Sequence, residues 1–437
     1  MQAPTSNQRK PIKDLTKVFH YTDTMTRMPT RDNDPYEYMA GFGNRFQSEV
    51  IPGILPAGQN NPQEPRFGLY TEGLTYSAFT APRHANFSTY TYRVRPAAAH
   101  MTTLAGQAEW APFPLPNDDE KIDFIDGLHT LGGSGDPNLR EGIALYVFMI
   151  NADMDHRAYC NTDGDFLIVP QLGTLDIQTE MGLLVPATRR TNPRDFLHPV
   201  AHIDENLHED WEIVNKANGR YSVIGQDHSP FDLVAWHGNV VPYKYDLTKF
   251  ASQNATSIDH TDPSVNCVLT APSRDPVTPL ADFLWFGPRW DVASNTFRPP
   301  YFHRNSATEF LACLYGNGLG RSEEFLPGGG SVEVSHTPHG NFSDGYIADG
   351  IDQMTIMVES SRSFLFTEYA RSGCGTFKNQ GPDPELWDAL PDKFSAYPNI
   401  KKIHSQVKSD EEAWKKQLEA YYDDDWLAER YMDHNKA

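Results

Sequence analysis

The chain has 437 residues, which is more than one small module needs and allows two or three domains. Its 37 basic and 58 acidic side chains give a formal net charge of -21, which repels a polyanion and argues against nucleic acid as a partner. Hydrophobic residues make up 39% of the chain, yet no run approaches the ~18 apolar residues that a membrane helix requires, so we expect no membrane partner.

The first segment, residues 1–37, is polar and rich in Pro and Thr, and it has no apolar core of the kind that a secretory signal needs. We expect a disordered arm there, with a transit peptide as the alternative. The four cysteines lie far apart without a C-x-x-C pair, which argues against a disulfide framework or a thiolate zinc site. These features indicate a reducing compartment, and we expect the cytoplasm.

Beyond this arm, glycines and prolines separate short runs rich in Val, Ile, Phe, Tyr and Thr, which is typical of an all-β protein. The predicted strands are Thr89–Val94, Ala144–Ile150, Phe166–Val169, Thr174–Thr179, Val265–Leu269, Phe310–Tyr315, Ser331–Val334, Met354–Glu359 and Ser363–Thr367. Many short strands favour a sandwich or a barrel, and the 12% of aromatic residues suit the inner faces of packed sheets.

The C-terminal end is the one region with a clear helical pattern. Ser409 and Glu412 have the spacing of a capping box, and Trp414, Leu418 and Tyr421 follow at helical spacing. We interpret this segment as a docking helix without a chemical role.

Histidines and one glutamate supply the strongest functional signal. His303, Asn305 and Glu309 lie at even separations, so in one extended strand their side chains share a face. The glycine-rich segment 325–331 then predicts a turn, and a hairpin returning across the first strand would bring His339 beside this face. Two imidazoles and one carboxylate on one side of an ion form the facial triad of non-haem Fe(II) oxygenases. Hydrogen-bonded polar groups in a β core are the alternative.

Three other histidines have weaker cases as site residues. His336 lies three residues before His339, and this odd spacing on a strand directs it to the opposite face. We interpret His228 as a surface residue. His237 has two open interpretations, a pocket residue and a packing residue.

The spacing around the predicted triad resembles the two cupin motifs, with Asn305 in place of the middle histidine of the first motif. Over residues 38–370, a longer series of blocks is similar to the homogentisate 1,2-dioxygenase family. The blocks are GFGN (41–44), LPAGQNNPQ (55–63), AFTAPR (78–83), GLHT (127–130), DGDFLIVPQ (163–171), NPRDF (192–196), VAWHGN (234–239), PYKY (242–245), DH (259–260), FRPPYFHRN (297–305) and FLPGGGS (325–331). This resemblance implies a jelly-roll bicupin architecture and one Fe(II). It also implies opening of the homogentisate ring by O2 to maleylacetoacetate, in tyrosine and phenylalanine catabolism.

The resemblance also implies roles for individual residues. His303, Glu309 and His339 fall where the family's iron ligands lie, and His260 falls where its catalytic histidine lies. The chemistry agrees, because a diphenol loses a proton as it binds iron, and histidine, with an unperturbed pKa of about 6.5, can accept and return that proton. A structural histidine bonded to a neighbouring aspartate is the alternative for His260.

Four residues form the expected substrate pocket, namely His339, Tyr301, Gly318 and Arg321. Tyr301 lies two residues before His303, so on an extended strand the two side chains share a face. We expect Tyr301 to line the pocket, with a core tyrosine as the equal alternative. Gly318 stands where the family carries a tyrosine that helps to hold the substrate's carboxylate, and Arg321 is the residue that could compensate. Because of this departure, the second candidate function is that of a paralogue that opens the ring of a different diphenol.

A second departure lies between Pro186 and Asn192, where the chain has only five residues. Family members continue here for about forty more residues, enough for about four strands. We therefore expect part of the first jelly roll to be absent. An inactive cupin remnant, or a cupin with a binding role, is an alternative from a different functional class.

Together, these features predict an all-β fold of two cupin-like halves with a C-terminal helix. The predicted parts are a disordered arm (1–37), an N-terminal β-sandwich lacking part of the jelly roll (38–225), a C-terminal cupin-like metal domain (226–381), and a linker with the C-terminal helix (382–437). The expected cofactor is Fe(II), and the expected partners are a small aromatic substrate and O2. We also expect a homo-oligomer.

Overall fold

The computed structural model describes residues 27–28, 38–39, 48, 55, 66–78, 80–99, 107–184, 196–204, 207–249, 265–275, 277–290, 302–316, 322, 325–340, 343, 350–378 and 387–395. The chain divides into two compact units, Met1–Leu69 with Asp392–Ala437, and Tyr70–Pro391. In the first unit, the strands β1 (Arg27–Met28) and β2 (Tyr38–Met39) form an antiparallel pair.

The second unit consists of short strands joined by turns, as the spacing of Gly and Pro predicts. Its described strands are β3 (Tyr70–Thr75), β4 (Ser88–Arg93), β5 (Gln107–Trp110), β6 (Leu128–Asp136), β7 (Glu141–Phe148), β8 (Arg157–Asn161), β9 (Ile177–Thr179), β10 (Gly182–Leu184), β11 (Trp211–Ala217), β12 (Arg220–Gln226), β13 (Asn266–Ala271), β14 (Ala281–Phe286), β15 (Arg289–Trp290), β16 (Phe302–Asn305), β17 (Thr308–Gly316), β18 (Gly330–Glu333), β19 (His339–Gly340), β20 (Gly350–Ile351), β21 (Gln353–Ser360), β22 (Leu365–Phe366) and β23 (Phe377–Lys378). The described helices are short, at Arg66–Gly68, Arg83–Ala85, Pro137–Leu139, Leu247–Lys249 and Tyr369–Gly373.

A seven-stranded antiparallel sheet forms the centre of the second unit, with the strand order β13-β14-β21-β17-β18-β5-β23. One of its faces packs through Trp110, Phe310 and Val332 against Leu131 and Leu145 of β6 and β7. The buried indole of Trp110 donates to the Ala370 carbonyl over 2.7 Å, so its polar atom is satisfied within the core. Burial of these large side chains on a shared face stabilises the sheet.

The opposite face of this sheet carries a second apolar cluster. Leu284, Leu311 and Met357 lie side by side on β14, β17 and β21, and Val265 and Phe325 pack against them. Because side chains alternate along a strand, the residues two positions away from these three point to the same face. This alternation places Glu309 at one end of an apolar surface.

A four-stranded sheet with the order β19-β16-β3-β4 carries the predicted ligands His303 and His339. In this sheet β16 runs parallel to β3 and antiparallel to β19. Phe302 of β16 is buried edge-on against Tyr70 of β3, with ring centroids 6.2 Å apart, and this contact anchors the strand. The smaller sheets have the orders β12-β11-β8, β22-β6-β7, β10-β9 and β15-β20.

The predicted all-β class is confirmed, and most predicted strands overlap strands of the structure. The prediction for Phe166–Val169 is wrong, because this segment is irregular. The Phe166 ring packs against the rings of Phe124, Tyr146 and Tyr159, so its apolar character serves packing without strand pairing. Among the residues that the structure describes, no helix is both long and apolar enough to cross a membrane.

Several predictions on the organisation of the chain lie outside the described residues. These are the C-terminal helix, most of the N-terminal arm, and the shortened connection between Pro186 and Asn192. The division at residues 225 and 226 stays a prediction. In the described structure, the seven-stranded sheet combines β5, from the predicted N-terminal half, with strands from the predicted metal domain.

Candidate metal centre

The segment that carries the first two candidate ligands changes sheet within seven residues. β16 ends at Asn305, a bend follows at Ser306 and Ala307, and β17 begins at Thr308. The Ser306 amide donates to the Thr75 carbonyl of β3 over 3.0 Å, which holds the bend against the four-stranded sheet. The expectation that His303 and Glu309 share one strand is therefore wrong, because the bend directs them into two sheets.

A glycine-rich turn returns the chain from β17 to β18. Gly328 has a φ of +92°, a left-handed conformation that favours glycine. A Cβ on Gly330 would lie 2.8 Å from the Leu311 carbonyl oxygen, so only a residue without a side chain fits this approach. The turn sets the register that places Glu333 directly opposite Glu309.

The next turn brings His339 to the site. β19 pairs with β16 so that His339 lies directly opposite His303, and their ring centroids are 4.3 Å apart at 70°. The His336 amide donates to the Asn305 carbonyl over 2.7 Å, which fixes the turn before β19. The structure therefore has the returning hairpin that the sequence predicts.

Three side chains from these strands converge in the interior. Nε2 of His303 lies 3.7 Å from Oε1 of Glu309, and Nε2 of His339 lies 3.4 Å from Oε2 of the same carboxylate. Their side chains are 11%, 4% and 3% exposed for His303, Glu309 and His339 respectively. One nitrogen from each imidazole and one carboxylate oxygen lie within 4.8 Å of one another. This is the donor set of a facial triad.

The charge state of the centre suits a cation. Burial raises the pKa of Glu309, but positive charge on the adjacent His339 and His303 and the hydrogen bond from Asn305 outweigh it and lower the pKa below its usual range. A metal cation bound between these groups would replace the positive charge of the imidazolium rings. The carboxylate is therefore ionised at neutral pH.

The tautomer of His339 gives an independent test of whether these residues can hold a metal. Nδ1 lies 2.8 Å from the Thr337 carbonyl oxygen, which can only accept, so Nδ1 carries the proton. In the neutral ring, Nε2 then presents a lone pair, and it has no hydrogen-bond partner within the described parts of the chain. A buried lone pair facing a carboxylate is costly unless a proton or a metal cation lies between them. The three residues fit a divalent metal.

The Glu309 carboxylate belongs to a row of acidic side chains. Asp282, Glu359, Glu309 and Glu333 are direct cross-strand neighbours on β14, β21, β17 and β18, and all four are buried. Directly opposite residues on antiparallel strands place their side chains on the same face. The row lines this end of the sheet with buried carboxyl groups.

The structure brings together His303, Glu309 and His339 from the predicted site. The other predicted site residues, His260, Tyr301, Gly318 and Arg321, lie outside the described residues.

The other histidines of the sequence analysis lie at the surface. His228 is exposed, which confirms its interpretation as a surface residue, and His237 and His336 are exposed as well.

Two contacts of the centre were not predicted from the sequence. The Thr337 carbonyl accepts from His339, and the Asn305 amide donates to Glu309. The two-residue spacing of Thr337 and His339 is a local signal that could have indicated the first contact. The second depends on the bend after Asn305, for which the sequence gives no clear signal.

Comparison with known proteins gives consistent matches along the chain. The sequence profile described as "Homogentisate 1,2-dioxygenase C-terminal" matches residues 248–394. The profile described as "Homogentisate 1,2-dioxygenase N-terminal" matches residues 37–109, 101–190 and 185–247. A homogentisate 1,2-dioxygenase of Drosophila melanogaster is 38% identical, over 83% of this chain and 99% of the relative. Relatives with the same name from Homo sapiens and Dictyostelium discoideum are 38% identical over 76% and 40% identical over 72% of this chain.

Proposed function

The chain belongs to the homogentisate 1,2-dioxygenase family, and we propose that it opens the aromatic ring of homogentisate with O2 at a single Fe(II). The product is maleylacetoacetate, an intermediate of tyrosine and phenylalanine breakdown. The observation that carries this proposal is the buried triad of His303, Glu309 and His339, whose donor atoms lie within 4.8 Å of one another.

The three side chains would hold the ion from one side. Bound Fe(II) supplies a centre at which an aromatic diol and O2 meet and exchange electrons. Thr337 contributes by keeping the proton on Nδ1 of His339, so that Nε2 stays available as a donor. Low exposure of the triad limits the access of water to this chemistry.

His260 is the proposed proton carrier. A diphenol loses a hydroxyl proton as it binds, and an imidazole close to that hydroxyl can accept the proton and return it to the product. Support for this assignment comes from the position of His260 in the block that resembles the family's catalytic histidine.

Tyr301, Gly318 and Arg321 are the proposed contacts of the rest of the substrate, together with His339. Gly318 favours one second candidate function, the opening of a diphenol without an acetate arm, because a glycine offers no side-chain hydroxyl to a carboxylate. In either case the reaction is ring cleavage.

The test is an oxygen-electrode assay on purified protein that has been reconstituted anaerobically with Fe(II). We expect O2 uptake on addition of homogentisate, and we expect His303→Ala, prepared in the same way, to show none. A panel of diphenols without the acetate arm separates the two candidate substrates. Iron binding without O2 uptake for any diphenol would contradict the proposed activity and favour a binding role or an inactive remnant.

A further inference from the structure

Asn305 is a buried amide that contacts the proposed ligand carboxylate directly. Its Nδ2 donates to Oε1 of Glu309, and the orientation of the amide follows because a carboxylate can only accept. The backbone carbonyl of Asn305 accepts from the His336 amide, in the turn that leads to His339. One residue thus contacts the carboxylate and supports the segment that carries a proposed imidazole ligand.

This hydrogen bond makes the two oxygens of Glu309 chemically different. Oε1 accepts the amide hydrogen of Asn305, so part of its negative charge is already engaged. Oε2 is the oxygen that lies 3.4 Å from Nε2 of His339. The bond also fixes the plane of the carboxylate, because its rotation would break the contact with a buried donor.

We propose that Asn305 is a positioning residue that reserves Oε1 of Glu309 and thereby makes this carboxylate a metal ligand through one oxygen. The proposal rests on the proposed role of Glu309 in holding Fe(II). A facial set of three protein donors leaves the opposite coordination positions open. A carboxylate that binds through both oxygens adds a fourth protein donor and closes one of those positions.

The experiment uses nitric oxide as a probe for an open position on the Fe(II) protein, read by electron paramagnetic resonance under anaerobic conditions. We expect the wild-type protein to bind nitric oxide both alone and after saturation with homogentisate. In Asn305→Ala and Asn305→Asp, binding in the presence of homogentisate should weaken by about 10-fold or more, because a carboxylate bound through both oxygens occupies a coordination position that nitric oxide needs. Binding in its absence should change much less.

Asn305→Asp preserves the side-chain volume and replaces the amide with a carboxyl group, so it tests the hydrogen bond without a cavity, whereas Asn305→Ala tests it without an added charge. Thr355→Val is the matched control, because Thr355 is a buried polar residue of β21, in the same sheet as Glu309 but outside the triad. It should behave like the wild-type protein.

Unchanged nitric oxide affinity in both Asn305 variants after saturation with homogentisate would overturn the inference. Loss of iron from both variants, with iron retained in Thr355→Val, would also overturn it, since Asn305 would then be required for metal binding itself. If the wild-type protein bound no iron, the proposed function would fail, and elemental analysis shows this before any variant is compared.

Discussion

At the scale of single residues, the proposed triad supplies one donor atom from each of three side chains. Replacing His303, Glu309 or His339 by alanine leaves two donors, from which water can remove a divalent ion. We expect each variant to lose most of its iron, as measured by elemental analysis of the purified protein. His336→Ala is the matched control, because this exposed histidine lies in the turn before β19, and it should keep its iron. Full occupancy in any of the three variants would remove that residue from the site.

His260 is predicted to act on protons and not on the metal. We expect His260→Ala to keep its iron and to lose turnover by roughly 10²–10⁴-fold, the usual contribution of a positioned proton carrier. Steady-state O2 uptake together with iron analysis measures both quantities on one preparation. A normal rate would reduce His260 to a structural residue.

Gly318 is the residue at which we predict weaker binding of the substrate's acetate arm. Losing one charge-assisted hydrogen bond costs about 1.5–3 kcal/mol, so we expect a raised KM for homogentisate in the wild-type chain. Gly318→Tyr should lower this KM with little change in kcat. If the wild-type KM already matches that of a relative that carries the tyrosine, another residue holds the carboxylate, and Arg321→Ala would identify Arg321 as that residue.

The sequence predicted the members of the triad better than their geometry. The even spacing of His303 and Glu309 suggested one strand, whereas the bend at Ser306 and Ala307 sends the two residues into different sheets. They converge all the same, because β17 begins directly after the bend. Such a bend is stabilised by a contact with β3, more than two hundred residues away, and no local pattern encodes a contact of that range.

At the scale of elements, the hairpin of β11 and β12 is joined to Asp163 by a buried ion pair. Nζ of Lys216 lies 2.5 Å from Oδ2 of Asp163, and the two side chains are 7% and 11% exposed. Asp163 also accepts from the backbone amides of Asn218 and Gly219 in the turn. Burial alone raises the pKa of Asp163, but the hydrogen bonds from Lys216 and the turn amides outweigh it and lower the pKa below 3.8.

We expect Asp163→Asn to lower the free energy of unfolding by about 3–5 kcal/mol at neutral pH, because it leaves the Lys216 ammonium buried without a counter-charge. A group with a lowered folded-state pKa stabilises the fold above its unfolded pKa, here 3.8, and this stabilisation is lost as the pH falls through the folded value. The difference between the two proteins should therefore shrink in acid. Denaturant unfolding over a pH series measures it.

The control for this pH dependence is Asp155→Asn, since Asp155 pairs with His156 at the surface. Exposed pairs contribute little to stability, so this variant should unfold like the wild-type protein. An equal loss in both variants would contradict the role assigned to the buried pair.

Strand prediction succeeded where apolar or β-branched runs also form ladders, as in β7, β17 and β21. It failed at Phe166–Val169, where the aromatic ring packs among other rings without backbone pairing. An apolar composition indicates that a segment is buried, but it does not distinguish a buried irregular segment from a buried strand.

The β11–β12 hairpin shows the opposite error, a pair of strands that we did not predict. Its two-residue turn is Asn218-Gly219, with positive φ values of 53° and 68°, as hairpin turns of this length require. The Asn-Gly signal was present in the sequence. The flanking strands lack a clear alternation of apolar and polar residues, because β12 is largely exposed and both strands contain charged and polar residues.

At the scale of the whole molecule, the shortened connection between Pro186 and Asn192 is predicted to reduce stability. Strands missing from a sandwich leave neighbouring edges and part of an apolar core uncovered, and exposed edges pair with other chains. We expect a lower melting temperature and more self-association than in a relative of full length. Every proposed metal ligand lies in residues 228–370, so we expect metal binding to survive.

Peptide-resolved hydrogen exchange shows which part of the chain has the reduced stability. We expect weaker protection in residues 140–200 than in residues 228–370, with the Drosophila melanogaster relative as the reference protein. Equal protection in both regions would show that the short connection is a tolerated loop deletion, and the concern about activity would then be unfounded.

The division of the triad between two sheets has a consequence for how the enzyme matures. His303 and His339 belong to the four-stranded sheet, and Glu309 belongs to the seven-stranded sheet. An ion bound by all three residues would therefore connect the two sheets. If the triad binds iron as proposed, the free energy of binding adds to the stability of the folded chain, so a newly synthesised chain becomes fully stable only after it has bound the ion. We therefore expect the cellular supply of iron to control the lifetime of the polypeptide as well as its catalytic competence.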